Sequence, residues 1–204
     1  YQRVDEILSE VRGRYRRVCV AIEGVYSQDG DIPDLARFIE VKKRHGALLF
    51  VDEAHSIGVI GKTGRGVCEH AGVDPAEVDI LMGTLSKALG TSGGYVAGSA
   101  ALVDYLRQIP CYVHNVNLSP AVAAAALQAI RILRREPERV ARLRERASQF
   151  LRLAKEEGLD TGISLDTAVI PIMTYSSQLA YLISEGLFDQ GITAILGPNG
   201  CGKS

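Results

Sequence analysis

No Cys-x-x-Cys pair occurs among the four cysteines, Cys19, Cys68, Cys111 and Cys201. That excludes zinc-ribbon and thioredoxin-type readings, and reduced thiols in a cytoplasmic enzyme are the simplest account. No apolar run approaches the roughly 18–20 residues that a membrane span needs. The first residues, Tyr1 to Glu6, lack the apolar stretch of a signal peptide. An excess of one charge is also missing. The formal net charge is -1, so no overall field favours nucleic acid or an anionic membrane, and neither is expected as a partner. What remains is an ordinary globular composition, 47% hydrophobic and 23% charged over 204 residues. That length suits one medium domain, or most of one domain plus part of a second. Residue 1 is not Met and the chain stops inside a recognisable motif, so it reads as a fragment.

The first half alternates strand and helix signals. Short apolar runs occur at Val18–Glu23, Ala47–Val51, Asp79–Met82 and Tyr95–Ala97. Helical spacing runs from Pro33 to Arg44, and Gly46 closes that helix. Apolar runs on both sides of helices predict buried strands of a mainly parallel sheet, an α/β fold. In the second half, the Ala-rich Pro120–Leu133 stretch predicts a long helix. Pro137–Glu157 predicts an amphipathic helix whose opposite face, rich in Arg, reads as solvated and salt-bridged. Ala168–Met173 reads as a strand with Pro171 near an edge, Ser176–Gln190 as a helix and Ile192–Leu196 as another strand. The expected organisation is a partial large domain over 1–118, part of a smaller α/β domain over 119–191, and an atypical tail over 192–204.

Three segments fall where α/β sheets place ligand sites, at the carboxyl ends of strands. In Val51-Asp52-Glu53-Ala54-His55, Asp52 ends an apolar run. A carboxylate there is costly to bury unless it meets a cation. A protonated pyridine nitrogen is such a partner, and His55 could reach the same ring. Equally, Asp52 could cap a turn and His55 could be an ordinary loop residue. In Gly83-Thr84-Leu85-Ser86-Lys87-Ala88-Leu89-Gly90, one Lys sits among small hydroxyl residues and glycines. A Schiff-base Lys needs a dehydrated, open site, and Thr84 and Ser86 offer hydroxyls to a phosphate. A Gly-rich surface loop with a solvated Lys is the plain alternative. It leaves unexplained why small residues surround one Lys between two strands. In Glu23-Gly24-Val25-Tyr26-Ser27-Gln28-Asp29-Gly30-Asp31, Ser27 is a candidate donor, and Asp29-Gly30 is a turn signal.

Together these segments resemble the α-oxoamine synthase family of fold-type-I enzymes dependent on pyridoxal 5′-phosphate (PLP). The likeness runs from about Arg17 to Gln190. It is most specific in VDEAHSIGVIGKTGRGVCEH, Val51 to His70, and GTLSKALGTSGGYVAGS, Gly83 to Ser99. The resemblance implies the PLP-dependent transferase fold of type I. It implies that Lys87 carries PLP and moves protons at the substrate α-carbon. It further implies that Asp52 pairs with the pyridine nitrogen, that His55 and Ser27 contact the phenolic oxygen, and that Thr84 contacts the phosphate. The implied reaction condenses an amino acid with an acyl-CoA or acyl-carrier thioester to an α-amino ketone, in a homodimer.

The chain departs from the family pattern in three places. The family's glycine-rich loop and ring-stacking His would precede Tyr1. Its aromatic-Ser-Thr-Ser run before Leu-Pro-Pro is replaced by His114-Asn115-Val116-Asn117-Leu118-Ser119-Pro120, which puts amides where a partner subunit's hydroxyls would reach the phosphate. Past Gly191, Gly197 to Ser204 satisfies G-x-x-x-x-G-K-[ST] and resembles the opening of ABC- and SMC-type ATPase heads. A P-loop needs a following helix and an acidic strand for magnesium. The tail therefore reads as the stub of a fusion, a chimeric junction or a gene-model error. A nucleotide-binding module and a non-catalytic scaffold are the alternative functions. Lys87 together with Asp52 and His55 argues against the scaffold, and the fragment alone is expected to turn over poorly.

Overall fold

The computed structural model describes residues 1–115, 118–165 and 167–193. These divide into two compact units, residues 1–25 with 33–140, and residues 26–32 with 141 onward.

The first unit opens with α1 (Gln2–Val11) and β1 (Cys19–Glu23), followed by α2 (Leu35–His45) and β2 (Leu48–Asp52). The side chain of Asp34 caps α2 by accepting from the Arg37 N–H, and Gly46 ends it in the left-handed conformation with φ 58°. A short helix α3 (Val67–Ala71) and a 3₁₀ turn (Pro75–Glu77) lead to β3 (Ile80–Thr84) and β4 (Gly94–Gly98). Helices α4 (Ala100–Gln108), α5 (Pro110–Val113) and α6 (Pro120–Arg135) complete the unit. The sheet order is β1-β2-β3-β4. The first three strands are parallel and β4 is antiparallel to β3, so the sheet is largely parallel as the sequence predicts.

Burial is one-sided rather than two-sided. Val20, Ile22, Leu49 and Val51 are buried, while Cys19, Ala21 and Leu48 between them are exposed. Period-two alternation puts the buried four on one face. Helix α2 contacts β2 and buries Leu35, Ile39 and Val41. Strand β4 is exposed along its whole length. A polar staple fixes the sheet to α2: Asp79 Oδ2 accepts from Leu49 N–H at 2.7 Å and from Lys42 Nζ at 2.7 Å.

Helix α6 belongs with this unit, because its Ala126 and Ala129 pack on Leu85 and Leu89. The first unit therefore runs on to Val140.

The second unit holds most of α7 (Glu138–Glu156) together with α8 (Ser177–Asp189). The turn 26–32 joins it through a hydrogen bond from Thr167 Oγ1 to the Gly30 carbonyl at 3.0 Å. Gly30 has φ 69°, and a Cβ there would run into the Val169 carbonyl. On α7, Arg152 pairs with Glu156 at 2.7 Å.

The strand predicted over Ala168–Met173 does not form. Side chains satisfy the Val169 backbone instead, and the Met173 N–H donates to the Asp160 carbonyl at 2.8 Å. The Val169 carbonyl accepts from Ser164 Oγ at 2.7 Å and Thr167 Oγ1 at 3.2 Å, and the Val169 N–H donates to Thr167 Oγ1. Pro171 has no N–H to offer a ladder. Among the described residues this unit is helical, not α/β. The predicted strand at Ile192–Leu196 lies largely outside the described residues. Val116, Asn117 and the P-loop-like string Gly197–Ser204 lie wholly outside them. Among the described residues no helix is long and apolar enough to cross a membrane.

Candidate functional site

The parallel register sets three strand ends side by side. Glu23 pairs with Asp52, and Asp52 pairs with Met82. Two further backbone bonds extend the ladder past the strands, Gly24 N–H to the Asp52 carbonyl and Glu53 N–H to the Met82 carbonyl, each 2.7 Å. The chain leaves this edge in two loops that meet.

The first loop carries His55. Asp52 Oδ1 accepts from the Ala54 N–H at 2.8 Å, an Asx-type turn that starts the loop. The Ser56 and Ile57 N–H groups both donate to the Glu53 carbonyl at 3.1 Å. His55 is half-buried. Its pKa is lowered, first by burial and then by the charge of Lys87, against the opposing pull of Glu23 and Asp52.

The second loop carries Lys87 between β3 and β4. Its ends are tied by Leu85 N–H to the Gly93 carbonyl and Thr91 N–H to the Leu85 carbonyl, each 2.9 Å. Leu85 and Leu89 are buried on α6. The loop's burial thus falls on its leucines, and Lys87 is left exposed. The sequence asks for a dehydrated lysine, and the described residues do not cover it. Gly58, at φ 77°, lets the two loops touch: a Cβ there would lie 2.6 Å from the Ala88 Cβ. At this junction Lys87 Nζ and His55 Nε2 are 2.5 Å apart.

Thr84 ends β3. Its Oγ1 is 2.7 Å from Ser86 Oγ, donates to the Gly93 carbonyl at 3.1 Å and accepts from the Ser86 N–H. Two hydroxyls therefore sit paired within three residues of Lys87, and both can rotate towards an anionic oxygen.

Lys87, His55 and Asp52 are thus brought together, with Thr84 at the base of the lysine loop. Ser27 lies half-buried in the turn 26–32 of the second unit. Sequence reasoning missed two carboxylates beside the site. Glu23 stands beside Asp52 in register and acts electrostatically on His55. Glu53 is buried, 3% exposed, whereas Asp52 is only half-buried. Alternation could have found it, since Leu49, Val51 and Glu53 share one parity.

The family model for aminotransferase class I and II matches residues 2–199. The chain belongs to that family. It is 42% identical over 189 residues to an 8-amino-7-oxononanoate synthase of Symbiobacterium thermophilum, covering 92% of this chain and 48% of the relative. It is 36% identical over 174 residues to a serine palmitoyltransferase of Bacteroides thetaiotaomicron, covering 85% of this chain and 44% of that protein. The chain spans about half the length of the curated relatives it matches. Among solved structures it resembles the Sphingomonas wittichii serine palmitoyltransferase, with a TM-score of 0.83 and 33% identity over 97% of this chain and 52% of that one. The fold is the type I fold of PLP-dependent transferases, present in part. The expected fold class therefore holds, except that the described part of the second unit contains no strand.

Proposed function

We propose that the chain is the lysine-bearing part of a PLP-dependent C-acyltransferase of the α-oxoamine synthase type. Such an enzyme condenses an amino acid with an acyl-CoA or acyl-carrier thioester to an α-amino ketone, as a cytoplasmic homodimer. The observation that carries the reading is the meeting of Lys87 Nζ and His55 Nε2 at the carboxyl ends of parallel strands.

The donor set fits the cofactor. Lys87 supplies an exposed primary amine for its aldehyde carbon. Asp52 keeps one carboxylate oxygen on the Ala54 N–H and has a second for a ring N–H. The paired hydroxyls of Thr84 and Ser86 suit the phosphate. Ser27 is assigned to the phenolic oxygen from its motif alone. When bound, PLP supplies an electron sink for a carbanion at the substrate α-carbon.

The chain's own residues then have separable tasks. Asp52 holds a proton on the ring nitrogen through its negative charge. Lys87 takes and returns the proton at the α-carbon. His55, kept neutral by burial and by the Lys87 charge, presents an imidazole nitrogen that can accept from the ammonium. The relatives' printed names, an oxononanoate synthase and a palmitoyltransferase, support the acyl-transfer class.

The test is site-specific loading. Purified chain is mixed with PLP, reduced with borohydride, digested and mapped by mass spectrometry. One adduct per chain on Lys87, lost in Lys87→Ala, is the expected result. An adduct spread over Lys42, Lys43, Lys62 and Lys155 as well as Lys87 overturns the assignment.

A further inference from the structure

One buried titratable group is used by none of these tasks. Glu53 lies between Asp52 and the turn of His55, and among the described residues it has no ion-pair partner. A buried carboxylate is costly unless it is well hydrogen-bonded. Here the cost is offset by three donors. Ser56 Oγ–H donates to Oε2. The Val67 N–H, in the first turn of α3, is shared between Oε1 and Oε2 at 3.2 and 3.1 Å. The Cys68 backbone N–H adds a third.

Glycines make the room. A Cβ on Gly24 would come within 2.5 Å of Ser56 Oγ and 2.9 Å of Glu53 Oε2. A Cβ on Gly66, already at φ 82°, would run into the same carboxylate. The chain therefore gives up side chains at two positions around one carboxyl group.

The backbone of Glu53 is tied down on both sides as well. Its N–H bonds to Met82 on β3, and its carbonyl accepts from Ser56 and Ile57. The residue thus joins β3, the start of α3 and the turn on which His55 sits. We infer that Glu53 is a positioning residue that locks the 53–57 turn to the first turn of α3, and so holds His55 Nε2 against Lys87 Nζ.

This rests on the reading of His55 and Lys87 as the site, and its test is independent of cofactor. The groups acting on His55 are Glu23 from β1, Asp52 from β2 and Lys87 from the loop after β3. The histidine rings of the chain are labelled with ¹⁵N and titrated by NMR without PLP, in the parent and in Glu53→Gln, Glu53→Ala and Ser56→Ala. The His55 resonances are assigned by their loss in His55→Asn.

In the parent, His55 titrates below about 6.5, the ordinary histidine value. Glu53→Ala frees the turn, so His55 moves up towards that value. Glu53→Gln keeps an oxygen acceptor for Val67 N–H and restores the parent titration. A folded Glu53→Ala chain with an unmoved His55 overturns the inference, however much its melting temperature falls. If Glu53→Ala does not fold, Ser56→Ala decides in the same way: upward movement of His55 supports the lock and no movement overturns it. Failure of PLP to settle on Lys87, with His55 still responding to Glu53→Ala, removes the cofactor reading and leaves the positioning role intact.

Discussion

Replacing Asp79 by alanine should destabilise the first unit by about 3 kcal/mol, and the figure follows from two hydrogen bonds to one oxygen. Asp79 Oδ2 accepts from Leu49 N–H and from Lys42 Nζ, each at 2.7 Å. Leu49 is fully buried, and the Lys42 side chain is only 12% exposed. Water cannot readily replace the carboxylate at either donor. Stranding a buried N–H costs roughly 1–3 kcal/mol, and losing a bond between charged groups costs roughly 1.5–3 kcal/mol. Partial exposure of Asp79 places the second figure at its low end. For a chain of this size, about 3 kcal/mol lowers the melting temperature by roughly 6–12 °C. Thermal unfolding followed by circular dichroism gives the number. Asp79→Asn keeps an acceptor but not the charge, and should lose about half as much. Combining Asp79→Ala with Lys42→Met removes the stranded ammonium, so the double variant should lose less than the sum of its parts by about 1 kcal/mol. An Asp79→Ala loss below about 1 kcal/mol, or strict additivity in the double variant, would refute the reasoning. The staple matters to the site because β3 carries Thr84 and feeds the Lys87 loop.

Two further predictions concern titration. Cys68 is 2% exposed, and burial, with the charges of Glu53 and Asp74, pushes its thiol up to about 11. A maleimide at about pH 7.5 should therefore label exposed Cys111 in the native chain and reach Cys68 only on unfolding; early labelling of Cys68 would show that α3 does not pack as described. The folded state depresses the pKa of His55, so the unfolded state binds more protons as pH falls through about 6.5. Stability should accordingly drop from about pH 7.5 to about 5.5 more steeply in the parent than in His55→Asn, and equal slopes would contradict the half-buried, lysine-facing ring.

Much of this architecture was legible because its signals are local. Gly46 ends α2, and the four apolar runs of the first half became the four strands within one or two residues. The motifs around Asp52 and Lys87 also fell at strand ends, as parallel α/β sheets require. What was not legible depends on partners far away in sequence. Ala168–Met173 has the composition of a strand, but a strand needs a neighbour with free backbone groups. Here Ser164 and Thr167 take the Val169 carbonyl first. The exposure of Lys87 follows from α6, some forty residues later, which draws Leu85 and Leu89 inward and leaves Ser86, Lys87 and Ala88 between them outward. Placing α6 with the first unit has the same origin, since Ala126 finds its partners in the lysine loop.

Glu53 shows how closely core and site are coupled here. Alternation in β2 sends Leu49 and Val51 into the core, and one step beyond the strand it sends Glu53 the same way. Asp52, of opposite parity, is left on the side where a ring nitrogen could be met. Two adjacent carboxylates thus receive opposite environments from the backbone pleat alone. Burial raises the pKa of Glu53, while the hydrogen bonds from Ser56, Val67 and Cys68 hold it down. Because those donors come from the His55 turn and from α3, a packing change at Val67 or Cys68 reaches His55 through Glu53 without touching Lys87. Core substitutions near α3 should therefore alter the titration of His55 before they alter the fold of the lysine loop, whose own anchor is α6.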